Sequence, residues 1–200
     1  MARALPMLLG GGALLLHCAG SSPLAGGPSE TLTIPDDADA GLLGLSLRGH
    51  KRHRAWGLVD VYDASLWTPH GFQGEESTES HLLALELRYL KTIPAALIAA
   101  RAIQEMRRSG PLASEQERWW MEEMLRVFPK QVHPGDRLLG LQLPGKASLF
   151  WHNGLLCGEV RDAEFTRRFF GIWLHQGTSE PELRRALLGA PARRTWWGAD

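Results

Sequence analysis

Two hundred residues carry 22 basic and 22 acidic side chains, a formal net charge of zero and an ordinary 44% hydrophobic content. Once a leader is set aside, that length suits one domain with a real core. The charge balance excludes a broad field for steering toward nucleic acid or an acidic membrane. Eight tryptophans supply much apolar area, each with one N–H to satisfy.

Residues 1–20, MARALPMLLGGGALLLHCAG, place one Arg before an apolar run broken by three glycines, and small residues follow. This reads as a secretory signal peptide, too short in its apolar part to span a bilayer stably. It predicts export across the inner membrane, to the periplasm. Two processing readings compete. Cleavage after Gly20 uses the small residues of Cys18-Ala19-Gly20. Alternatively, Leu15-Leu16-His17-Cys18 resembles a lipobox, with Cys18 lipidated as the sole membrane anchor. His17 stands where a lipobox has a small residue, so ordinary secretion is preferred. Either way Cys157 remains alone, with no intramolecular disulfide in the mature chain. In the run LLCGEV it reads as a small buried residue rather than a nucleophile.

Residues 21–29 read as a linker, 30–189 as the folded domain and 190–200 as a tail. Residues 31–34 suit a short first strand. Pro35-Asp36-Asp37-Ala38-Asp39 is an acidic turn that lacks the further oxygen ligands of a calcium loop. Strands are expected over 43–53 and 56–67. In the second, Asp60, Tyr62, Ala64 and Leu66 share one face, and Val61, Asp63, Ser65 and Trp67 the other. A Gly/Ser/Glu loop covers 69–80, and 81–90 alternates as a third strand.

The period becomes helical at Thr92, a candidate N-cap, with Pro94 in the first turn and Ile98, Ala102 and Met106 at helical spacing. Gly110-Pro111 ends that helix, and Ser114-x-x-Glu117 reads as a capping box for the next. Trp120, Met124 and Phe128 mark its inner, core-facing stripe. Strands follow over 136–143, 147–152 and 155–160, turned by Pro144-Gly145 and Asn153-Gly154. Asp162 caps a helix with Phe165, Phe169, Ile172 and Trp173 on one face. Ser179-x-x-Glu182 is read as a second capping box, opening a short helix that closes near Gly189. Hairpins dominate and strict βαβ alternation is absent. The fold class is therefore α+β, an antiparallel sheet covered by helices on one face.

The cationic run 48–54 is the most conspicuous cluster. His50, Arg52 and Arg54 point one way, Lys51 and His53 the other, as on a solvated strand end. One short run in an exported chain does not make a nucleic-acid site. His50 and His53 are too few for zinc, and His70, His81 and His133 lack ligand spacing to them. Nucleophile-elbow, P-loop and dinucleotide motifs are missing, so no cofactor or metal is expected. Asp60 and Asp63 flank Tyr62 on opposite faces, which excludes an acid/base pair. Asp60 is expected to pair with an Arg of a neighbouring strand.

The stretch Arg-Ala-Trp-Gly-Leu-Val-Asp-Val-Tyr-Asp-Ala-Ser-Leu-Trp (54–67) resembles a segment of the bacterial chalcone isomerase-like family, an Arg before a strand ending V-Y-x-A-x-L-[YW]. Residues 81–90 with Ile93, Phe128-Pro129 before Gly135-Asp136, Asn153-Gly154 before Gly158, the run 164–174 ending F-G-I-W-L, and 183–189 resemble later family segments in the same order. The resemblance covers roughly residues 42–189. It implies an open-faced β-sandwich, a large antiparallel sheet with helices packed on one face.

In the plant enzymes an Arg on this strand stabilises the charge that develops as a phenolate adds to an enone. The resemblance gives that position to Arg54, with Arg48 as second candidate, and Tyr62 stands where a Thr would help organise the carbonyl. Fatty-acid-binding relatives use an Arg and a Tyr to hold a carboxylate without chemistry. The favoured expectation is an exported protein that binds a small apolar carboxylate or phenolic molecule through Arg54, Tyr62 and Arg48, without catalysis. An intramolecular lyase with Arg54 as oxyanion stabiliser and Tyr62 beside it is the first alternative. A structural or accessory envelope protein, its interior closed by tryptophans, is the second.

Overall fold

A computed structural model describes residues 44–55, 58–74 and 78–189. The signal peptide, linker, first strand, acidic turn and tail read from the sequence lie outside the described residues, as does Trp56. Six strands form one antiparallel sheet in the order β1 (Leu45–Ala55), β2 (Val59–Pro69), β3 (Leu83–Tyr89), β6 (Arg137–Leu143), β7 (Ala147–His152) and β8 (Leu155–Val160). Between β3 and β6 lie a two-residue strand β4 (Ile93–Pro94), the helices α1 (Ala95–Met106) and α2 (Ser114–Val127), and β5 (Gln131–Val132), which pairs with β4. Helices α3 (Ala163–Leu174) and α4 (Pro181–Leu187) follow β8. The architecture is the expected α+β sheet with helices on it.

Period-two alternation sorts each strand between two environments. Ala64, Leu66, Leu83, Leu85, Leu87, Tyr89, Leu138 and Phe150 face the helical layer and form the main core with Trp120, Met124, Phe165 and Phe169. Trp67, Ala84, Leu139, Leu141 and Trp151 form a second cluster on the other parity. The Trp120/Met124/Phe128 stripe is core, as its spacing predicts. Asn153 takes φ 51° and Gly154 φ 86°, the paired positive φ of a tight hairpin between β7 and β8.

Of the four helix starts among the described residues, one is as expected. Asp162 caps α3, its side chain accepting from the backbone N–H of Glu164 and Phe165. The other three starts are corrected. Thr92 does not cap α1; Pro94 holds that position, and the backbone N–H of Ala95 is satisfied by the Lys130 carbonyl across the β4–β5 pair. At α2 the cap is Ala113 without a side-chain bond, because Glu117 is drawn into a two-bond ion pair with Arg107. At α4 the cap is Glu180, ahead of Pro181, and the Thr178 hydroxyl accepts from its backbone N–H.

Cys157 is half-buried rather than fully buried. Asp60 and Asp63 share a face, since both bond Arg52. The cause is an irregularity in pairing: His53 opposes Tyr62, but Arg54 opposes Asp60, which skips Val61 and reverses the parity of β2 at that point.

Candidate functional site

A cavity of about 410 Å³ lies between the β1–β2–β3–β6 part of the sheet and helices α1 and α3. Its volume falls within the usual range for small-molecule sites. The buried face of α1 is rich in alanine, with Ala95, Ala99 and Ala102 turned inward, and such small side chains leave space above the sheet. Leu87, Leu138, Ile98, Phe128 and Phe169 supply apolar wall.

The polar part of the lining is built from five elements. Tyr62 on β2 and Tyr89 on β3 are register partners, with their rings edge to face at 5.9 Å. They are the chain's two tyrosines, and both line the cavity. The Tyr62 hydroxyl accepts a hydrogen bond from Trp173 Nε1 of α3 at 3.0 Å, and His53 of β1 stacks on its ring at 4.8 Å. Arg101 and Glu105, one turn apart on α1, form an ion pair at 2.7 Å. Glu180, before α4, sits with its carboxylate 3.7 Å from His53 Nδ1.

Burial governs the protonation of these groups. It pushes Tyr62 up to about 12, against the opposing hydrogen bond from Trp173. It raises Tyr89 further, with the neighbouring Tyr62 acting in the same direction. It lowers His53, although Glu180 partly opposes the shift. At neutral pH the two phenols are therefore O–H groups and the imidazole is uncharged. The arrangement offers an apolar volume with hydroxyl donors inside it and an already neutralised ion pair at one wall.

Of the three site residues expected from the sequence, Tyr62 lines this cavity. Arg54 does not, which corrects the expectation of an interior cation there. Its side chain is 58% exposed and its Nε donates to Asp60 at 2.6 Å, on the same face as the Arg52–Asp63 pair. The strand parity that pairs Arg54 with Arg52 and opposes it to His53 is the reason; His53 takes the inward position. Arg48 is also elsewhere: its Nε donates to the Leu188 carbonyl at the end of α4, and its guanidinium stands over Phe72. Sequence reasoning passed over Tyr89, Arg101 and Glu105, and weighed His53 only as part of a solvated strand end and as a zinc ligand. Tyr89 continues the inward series Leu83, Leu85, Leu87, and Glu105 interrupts the apolar stripe of α1 beside Met106, so both left a readable signal.

Comparison with known proteins bears on the fold and the family. A profile of the chalcone isomerase-like family matches residues 29–189. Among the similar solved structures is a fatty-acid binding protein of Arabidopsis thaliana, with a TM-score of 0.55 and 10% identity, covering 80% of this chain and 91% of that one. At that identity the likeness concerns the fold. No curated protein matches the sequence. The extent of the profile match and the shared fold identify the chain as a member of the chalcone isomerase-like family.

Proposed function

We propose that this protein binds a small, predominantly apolar molecule in the cavity beneath α1 and α3, and that binding rather than chemistry is its role. The observation that carries the reading is the cavity itself: about 410 Å³ of space walled by Leu, Ile and Phe side chains, with a few polar groups converging on it. One solved structure of similar fold is that of a fatty-acid binding protein, which supports a ligand with a long apolar part. Open interior volume favours this over an envelope role in which tryptophans close the interior. Arg54, to which the resemblance gave oxyanion stabilisation in a ring closure, is directed to Asp60 on another face. The reading includes export to the periplasm, which rests on residues 1–20.

The test is mass spectrometry of small molecules extracted from the purified mature protein, wild type beside Ala102→Trp. Ala102 lines the cavity, and an indole there fills much of it. The expected result is an apolar molecule released from the wild type and lost from the variant. Equal release from both would overturn the assignment of the cavity.

A further inference from the structure

Given that cavity as the binding site, its polar groups specify the kind of head its ligand carries. Tyr89 is 2% exposed and lines the cavity. Its hydroxyl makes no hydrogen bond among the described residues. Nor is it sealed within the packing, as the indole nitrogens of Trp67 and Trp151 are. The space it opens onto is the cavity. Tyr62 beside it accepts from Trp173, so its own proton is unspent. Two O–H donors on adjacent strands thus stand in an apolar volume without a described acceptor, a state that an oxygen acceptor on a ligand relieves.

The charges around the cavity decide between acceptors. Among the described residues Arg101 is the cation in its lining, and it is committed: it bonds Glu105 at 2.7 Å and Gln104 at 2.9 Å, with its side chain 59% exposed. Glu105 is 7% exposed and has a second basic neighbour, Arg108, at 3.7 Å. Glu180 adds another carboxylate to the lining, and His53 is held uncharged by burial. A carboxylate ligand would enter a lining that holds two carboxylates, Glu105 buried and Glu180 partly exposed, and among the described residues no uncommitted cation. An ester or ketone oxygen meets the two hydroxyls without that penalty.

We propose that the site selects an apolar molecule with an uncharged carbonyl, read by the Tyr89 and Tyr62 hydroxyls, and disfavours the corresponding carboxylate. The experiment compares methyl decanoate, decanoate and undecane at pH 8, where the acid is ionised. Binding is followed by titration calorimetry or tryptophan fluorescence, for the wild type, Tyr89→Phe and Tyr62→Phe.

The ester is expected to bind about tenfold or more tighter than decanoate. Tyr89→Phe weakens the ester about three- to tenfold, the range of one neutral hydrogen bond, and leaves undecane unchanged. Tyr62→Phe acts in the same direction. Decanoate binding as tightly as the ester overturns the selectivity, and so does an equal loss of ester and undecane in Tyr89→Phe; both results leave cavity binding itself standing. Failure of all three compounds to bind overturns the cavity reading, and the head-group assignment with it.

Discussion

Replacing Asp162 by Ala tests how the helical layer above the cavity is fixed. One carboxylate oxygen accepts from the backbone N–H of Glu164 and Phe165, at 2.7 and 3.0 Å, and so caps α3. The other accepts from Trp120 Nε1 at 3.0 Å, and the Trp120 side chain is fully buried on α2. A single residue therefore serves both the cap of α3 and the buried indole of α2. Loss of an N-cap removes about 0.5–2 kcal/mol. Leaving the indole N–H without an acceptor removes about 1–3 kcal/mol more. The sum for Asp162→Ala is about 1.5–5 kcal/mol, which for a chain of this size lowers Tm by about 3–20 °C.

Asp162→Asn separates the two parts, because its one acceptor oxygen can serve the cap while its amide cannot accept from the indole. It should lose about 1–3 kcal/mol. The assay is urea unfolding followed by circular dichroism and tryptophan fluorescence, with the m-value checked for constancy. An Asp162→Ala protein within about 0.5 kcal/mol of wild type refutes the reasoning. So does an Asn variant as unstable as the Ala variant, since one acceptor would then have been worth nothing.

Other predictions follow from particular contacts. A Cβ on Gly49 would stand 2.0 Å from the Ala186 carbonyl oxygen and 2.6 Å from that of Leu187, so Gly49→Ala must displace α4 from β1. Its cost is expected at or above about 3 kcal/mol, the upper end of overpacking, and a urea midpoint near wild type would contradict the contact. Arg167 and Arg168 hold the Glu164 carboxylate at about 2, below its ordinary 4.5. A depressed folded-state value means stability that is present above the unfolded value and lost as pH falls from 4.5 through about 2. Because the Glu164 side chain is 39% exposed, screening limits this to about 1 kcal/mol or less. Glu164→Gln should therefore lose less stability than wild type between pH 6 and pH 2.5 in urea titrations. In a homologous series of apolar ligands, each added methylene should tighten binding about fourfold until the cavity is full, and a flat series would count against burial of the chain. Arg54→Ala should leave those dissociation constants unchanged.

The sheet was legible because alternation and turn chemistry are local. The inward series of β3 and the Asn153-Gly154 hairpin are written in adjacent residues, and both sit as read. The capping boxes were less legible because their signals compete with tertiary partners, as when Glu117 binds Arg107 rather than the helix start. Site residues were the hardest. Arg54 drew attention through its cationic neighbours and the family resemblance, yet its direction is set by strand parity, which the sequence also carried: Arg52 and Arg54 on one side, His53 on the other. The ion pair of Arg101 with Glu105 was readable as an i, i+4 spacing. Its place beside two tyrosines depends on how α1 crosses the sheet, which no local pattern records.

The most direct measurement of the central claim is equilibrium binding of Nile red, an uncharged apolar dye, to purified wild type and to Ala102→Trp. The account predicts saturable binding with one site per chain in the wild type, competition by methyl decanoate, and loss of binding in a variant that still unfolds cooperatively. Unsaturable dye uptake, or undiminished one-site binding by folded Ala102→Trp, would contradict it.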